Sequence, residues 1–120
     1  MSSFIDYLNK IEALIKLKKY DEAWKLANEG LIKIKGEDRF MMYYQMAIIT
    51  AKEKKWQSSL EKMGFVIYYL GGLGGASHKK FVIRILKKLK KENLFEDYIK
   101  LAQNNPPRSF SIKLSKFLNS

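Results

Sequence analysis

The side chains with the most chemical potential in this 120-residue chain are cations set on one helical face. Lys80, Arg84, Lys87 and Lys91 recur at i, i+4, i+7 and i+11, which lines them up on one side of a helix, opposite Val82, Leu86 and Leu89. They belong to Ser77–Lys91, a segment with seven basic residues and no acid. Such a stripe attracts carboxylates or phosphates; its plainer reading is the solvated face of an amphipathic helix. Just before it, Gly71-Gly72-Leu73-Gly74-Gly75 leads into Ser77 and Lys79-Lys80, a helix start of the kind that holds anions. The spacing fits neither the P-loop nor the dinucleotide fingerprint, and no strand precedes it, so a hinge or inserted connector is expected there. His78, the only histidine, reads as a surface residue, and one histidine without cysteine argues against a zinc site. The acid pairs Asp21-Glu22, Glu37-Asp38 and Glu96-Asp97 each stand at an expected helix start, where the helix dipole accounts for them. No nucleophile–base pair is visible. The chain reads as a non-enzyme with no cofactor and no metal.

Composition narrows the partners. Residues 1–60 carry 11 basic and 8 acidic side chains, a net of +3, and residues 61–120 carry 12 and 4, a net of +8. The total of +11 favours acidic partners: an acidic protein segment, nucleic acid or an anionic lipid surface. Lysine supplies 20 of the 23 cations, a bias toward loose attraction rather than base-specific reading. Without cysteine there are no disulfides, thiolate metal sites or thiol nucleophiles. The longest uncharged run, Met63–Ser77, contains five glycines and falls short of the roughly 20 apolar residues of a membrane span. Asp6 and Asn9 in the opening residues do not fit a signal peptide, and a cytoplasmic location is expected.

The elements that must position the cations are helices. Phe4, Tyr7, Leu8, Ile11, Leu14 and Ile15 keep the i, i+3, i+4 spacing of a buried face, after Ser3 and Asp6 in a capping-box-like start. Similar stripes follow: Ala23, Trp24, Ala27, Leu31 and Ile34, stopped by Gly36; Met42, Tyr43, Met46, Ala47, Ile49 and Thr50; and Leu60, Met63, Val66 and Ile67. Beyond the glycine run, Ser77 is the expected N-cap of a helix carrying Phe81, Val82, Ile85, Leu86 and Leu89. Phe95, Tyr98, Ile99 and Ala102 mark the next helix. Asn105-Pro106 reads as cap and first residue of a last helix with Phe110, Leu114, Phe117 and Leu118. Nothing alternates with period two over strand length. Gly30, inside a helix at a cost of about 1 kcal/mol against alanine, points to a close backbone approach.

The polar breaks between paired helices repeat. Lys19-Tyr20-Asp21-Glu22-Ala23, Lys55-Trp56-Gln57-Ser58-Ser59 and Leu94-Phe95-Glu96-Asp97-Tyr98 fall in register, with the aromatics 36 and 39 residues apart. At common offsets before them stand Tyr7, Tyr43 and Val82, then Ile11, Ala47 and Leu86; Ala27, Met63 and Ala102 follow. A self-similar period of this size signals stacked helical hairpins. The pattern resembles the tetratricopeptide repeat family, most clearly in Lys18–Leu31 (KKYDEAWKLANEGL), with its short turn, its aromatic and its alanine three residues on. The departures are a period of 36 and 39 against the family's 34, Lys18, Lys54 and Asn93 at the pre-turn glycine, and no proline closing each repeat.

The resemblance implies an all-α fold: a right-handed array of three antiparallel helical hairpins plus a C-terminal capping helix, about seven helices in a single domain over 1–120. The hairpins are expected at about 3–35, 38–70 and 77–104, and the closing helix at about 106–118. It also implies a concave groove lined by the first helix of each pair. By register its outward residues are Leu8, Glu12, Ile15 and Lys16; Tyr44, Gln45, Ile48 and Lys52; and Lys80, Ile83, Arg84, Lys87 and Lys91. Some family members grip a peptide's terminal carboxylate with basic and amide groups there. Lys80 and Arg84 match the third-repeat positions, and Gln45 stands in for the amide of the second. The function expected is a non-catalytic protein–protein interaction module for an acidic peptide or partner segment, using Tyr44, Gln45, Ile48, Lys52, Lys80, Arg84, Lys87 and Lys91. The alternatives are self-association through the groove and low-specificity RNA or DNA binding through the basic face of residues 77–91, with Arg108, Lys113 and Lys116. Peripheral attachment to an anionic membrane ranks last.

Overall fold

The computed structural model describes residues 4–119, apart from the side chain of Glu37; Ser3, the expected cap, lies outside the described residues. Seven α-helices follow in order: α1 (Phe4–Lys16), α2 (Tyr20–Lys33), α3 (Arg39–Lys52), α4 (Trp56–Leu70), α5 (Ala76–Lys88), α6 (Phe95–Gln103) and α7 (Pro107–Leu118). Short 3-10 turns at Gly36–Asp38 and Glu92–Leu94 lead into α3 and α6, and there is no strand among the described residues.

Helix ends follow local chemistry. Gly71 stops α4 in the left-handed conformation (φ 78°) that glycine adopts without a Cβ penalty. Helix α5 opens at Ala76 rather than after Ser77, because Gly75 takes the capping place with φ 124°. Helix α7 opens at Pro107, one residue later than Asn105-Pro106 suggests. Pro106 precedes a second proline, which holds it extended at ψ 163°. Asn105 is instead a buried tie between helices. Its Nδ2 donates to Leu101 O at 2.8 Å, and its Oδ1 accepts from Lys113 Nζ at 2.7 Å and from Ser109 Oγ at 3.0 Å.

The turns after α1, α3 and α5 are the same. Lys18, Lys54 and Lys90 have φ of 59°, 61° and 60°. In each case the next amide reaches five residues back: Lys19 N–H to Leu14 O, Lys55 N–H to Thr50 O and Lys91 N–H to Leu86 O, at 2.8–2.9 Å. This is a Schellman-type helix stop built on lysine in place of glycine, and it recurs at exact spacings of 36. After the first two stops the next helix starts at once, at Tyr20 and Trp56. After the third, the Glu92–Leu94 turn intervenes and α6 starts at Phe95. The spacing of 39 is thus 36 plus a three-residue insertion that lies behind α5. The alignment of Val82 with Tyr7 and Tyr43 is corrected accordingly, and Lys79 takes that place.

Two buried clusters share α3 as their common wall. Tyr7, Ile11, Ala23, Ala27, Met42, Met46 and Ile49 close the first. The second gathers Ala47, Leu60, Met63, Val66, Ile67, Val82, Ile85, Leu86, Tyr98, Phe110 and Leu114, among others. A Cβ on Gly30 would press on the Met42 sulfur, the close approach of α2 and α3 that a mid-helix glycine suggests. Helices α3 and α4 pair most extensively, then α1 with α2. Helices α5 and α6 touch each other little; both lean on α4, as does α7. Gly64 of α4 admits the Phe110 ring, and Tyr98 Oη, fully buried, donates to Leu60 O at 2.6 Å. Burial pushes the Tyr98 phenol well above its ordinary range, so it remains a donor. Helix α4 is therefore the post against which α5 and its cations are set.

Candidate functional site

Residues of α3 and α5 meet across a cleft. Tyr44, Ile48 and Lys52 stand at i, i+4 and i+8 on α3, while Lys80, Arg84 and Lys88 stand at the same spacing on α5, each exactly 36 residues on from its α3 counterpart. Ile48, Ala51, Lys52, Lys54 and Trp56 line a space of about 460 Å³ against Phe81, Arg84 and Lys88. A second space of about 260 Å³ shares Phe81 and Arg84 and runs on to Tyr44, Ser77 and Lys80. No carboxylate lines either one.

Aromatic and aliphatic groups make the floor and cations the rim. Tyr44 packs edge-on to Phe81 with ring centroids 6.0 Å apart. The Arg84 guanidinium sits 5.3 Å from the Phe81 centroid and Lys88 Nζ 5.8 Å from that of Trp56, so both heads are held over ring faces. The two ion pairs found among the described residues, Lys55–Glu53 and Lys62–Glu61, involve none of these cations. Lys52, Lys54, Lys80, Arg84 and Lys88 are all exposed and have no carboxylate partner among the described residues.

Of the residues expected here from sequence, Tyr44, Ile48, Lys52, Lys80 and Arg84 converge. Three do not. Gln45 is buried, lines neither space and has no amide to offer a bound carboxylate. Lys87 is exposed but lies off the cleft, one position round the helix from Lys88. Lys91 leaves the stripe because α5 ends at Lys88 and Lys90 turns left-handed. It lies instead beside Gln57 and Leu118. Lys88 and Trp56 are the residues the sequence reading missed. The signal for Lys88 was present: Lys16, Lys52 and Lys88 are spaced by 36. The α1 positions Leu8, Glu12, Ile15 and Lys16 line neither space. On α7, Lys113 is tied to Asn105 and lies outside the cleft, as do Arg108 and Lys116.

His78 also departs from expectation: it is buried, with 8% of its surface exposed. Its ring packs on Tyr44 at a centroid distance of 4.7 Å, and its Nδ1 accepts the Gly74 N–H at 2.9 Å. As the third residue of α5 it reaches back past the helix start, in the manner of a capping-box side chain. Burial holds its imidazole below the ordinary histidine range.

A larger space of about 550 Å³ lies between α2 and α4, but its rim mixes signs: Asp21, Glu53 and Glu61 stand against Lys25, Lys55 and Lys62. A field that cancels locally selects no ligand charge, so size does not make it the better site. No group of three or more His, Asp or Glu able to hold a metal occurs among the described residues, and no helix there is long and apolar enough to cross a membrane. Comparison with known family models, curated proteins and solved structures finds no match for this chain.

Proposed function

We propose that the chain is a non-catalytic protein-interaction module that holds an acidic segment of a partner in the α3–α5 cleft. The observation that carries this reading is the pairing of an acid-free aromatic floor with five rim cations, Lys52, Lys54, Lys80, Arg84 and Lys88, none of which has a carboxylate partner among the described residues. Cations left unpaired at about 8 Å Debye screening still steer an acidic partner. Apolar anchors on Tyr44, Ile48 and Phe81 would set how long it stays.

Helix geometry supports an extended occupant. Residues four apart on a helix are separated by about 6 Å along the axis. Same-side residues of an extended chain are separated by about 6.6 Å. A segment alternating acidic and apolar side chains would present acids to Lys80, Arg84 and Lys88 and apolar groups to Tyr44 and Ile48.

The test is fluorescence anisotropy with a labelled peptide of alternating Glu and Leu, its Lys-for-Glu counterpart, and single-stranded RNA and DNA of matched length. The acidic peptide is expected to bind, more weakly as salt rises, and the basic counterpart not to bind. Tighter binding of the oligonucleotides, falling about 10³-fold or more between about 50 and 200 mM salt, would replace the protein partner with nucleic acid. No binding of any probe at low salt removes the cleft as a site. Sedimentation of the unliganded chain tests the remaining occupant, a second copy.

A further inference from the structure

We infer that His78 is an acid-sensitive latch, its neutral ring fastening the Gly71–Gly75 connector to α5 while bracing Tyr44 at the head of the cleft. Three contacts converge on this one side chain. The Gly74 amide donates to Nδ1, so that nitrogen must be unprotonated and the ring carries its proton on Nε2. Tyr44 from α3 packs on the ring. A Cβ on Gly74 would overlap the ring, so the connector approaches as closely as glycine allows.

Protonation cannot leave this arrangement intact. A proton on Nδ1 sets two donors against each other, N–H facing N–H, and places a charge where 92% of the surface is withdrawn from water. The groups around the ring offer that charge nothing. From α3 the titratable neighbour is Tyr44. The end of α4 and the connector, residues 63–77, carry no charged residue. On α5 the flanking groups are cations, Lys79 and Lys80, with Arg84 one turn further on. An imidazolium is therefore relieved by swinging outward, which frees the Gly74 amide and takes the support from Tyr44. The connector has glycine at four of five positions. Gly71 stays tied to Gln103 Nε2 through its carbonyl and Leu73 stays packed on the core, so the part released is the Gly74–Gly75 end next to α5.

The effect on the cleft rests on the partner reading given above; the latch itself does not. An outward imidazolium adds a rim cation, which at screened exposure changes affinity by at most about fivefold. Loss of a packed aromatic anchor costs about thirtyfold. Release is thus expected to weaken an acidic partner by about fivefold or more, even though the charge rises.

The experiment is an NMR titration of the isotope-labelled full chain from about pH 7.5 down to about pH 5, spanning the histidine range. The Gly74 amide and the Tyr44 ring signals are expected to move with the His78 ring at one midpoint, below the ordinary 6.5. In His78→Gln, whose amide oxygen accepts the same N–H but does not titrate, both should stay still. A Gly74 amide indifferent to His78 titration in the wild type overturns the latch, whatever the variant does. The alternating acidic peptide is then titrated at both ends of the range. Wild type should lose about fivefold more affinity than His78→Gln on acidification. Equal losses overturn the coupling while leaving the partner site in place. No peptide binding at either pH removes the partner reading, and the NMR midpoints alone then decide the latch.

Discussion

A methyl group added at Gly64 tests the seat of α7 and, with it, the post that positions α5. Gly64 lies buried in α4, and a Cβ there would overlap three carbons of the Phe110 ring. In an open helical site Gly→Ala stabilises by about 1 kcal/mol through backbone entropy. Overpacking a filled core costs about 1–3 kcal/mol. Here the ring is fully buried and stands edge-on to both Phe65 (6.3 Å) and Tyr98 (6.0 Å), so it has no void to enter. That places the cost near the upper end, about 3 kcal/mol, and the net loss of Gly64→Ala near 2 kcal/mol. For a chain of this size 1 kcal/mol corresponds to about 4 °C, so Tm should fall by about 8 °C. Thermal and urea unfolding followed by circular dichroism measure it. Gly64→Ala combined with Phe110→Leu should recover about 1 kcal/mol of the sum of the single losses, since the two side chains share one volume. A Gly64→Ala protein as stable as the wild type would refute the packing of α7 against α4.

Further outcomes follow from the same contacts. Tyr98→Phe should cost about 1–2 kcal/mol by urea unfolding, because a fully buried hydroxyl that donates to Leu60 O is lost; a neutral result would show that this bond contributes nothing. Lys54→Gly should stabilise the chain by roughly 0.5–1 kcal/mol, since left-handed strain at φ 61° outweighs the entropy of glycine; a loss of stability on the same measurement refutes it. Arg84→Glu with Lys88→Glu should weaken the acidic peptide by about tenfold or more and flatten its salt dependence, while far-ultraviolet dichroism stays unchanged; unchanged anisotropy titrations would take the peptide off this cleft. The His78 imidazole is depressed in the fold, so its stabilising contribution is complete above the unfolded value near 6.5 and is lost as pH falls through the folded value. The unfolding free energy from urea curves should therefore drop on acidification, by at most about 1.4 kcal/mol per pH unit, and His78→Gln should lose that component of the slope.

Much of the architecture was legible in the chain because helical spacing of apolar residues is a local property. The stripes through Tyr7 and Ile11, Ala23 and Ala27, and Phe110 and Leu114 all face the core, as their periodicity requires. The all-helical class and the seven helices follow from such stripes and from the breakers between them. The cation spacing on α5 was legible for the same reason, and Lys80 and Arg84 emerge opposite Tyr44 and Ile48 as the register anticipates. Boundaries were less so. Lys91 continues the i, i+4, i+7, i+11 spacing and so reads as part of the stripe, whereas the backbone turns left-handed at Lys90 without a glycine to announce it.

What sequence alone determined is therefore the set of helices, the sign of the charge and the face of α5 that carries it, since each depends on neighbours within a turn or two. Tertiary structure decided the rest. It showed that the three-residue insertion lies after α5, which puts Lys88 rather than Lys91 in the cleft. It buried Gln45 and His78, and it made α4, rather than their immediate neighbours in the chain, the support of α6 and α7. Those outcomes depend on which surfaces exclude water together, and residues 30–40 positions apart settle that only once the helices are packed.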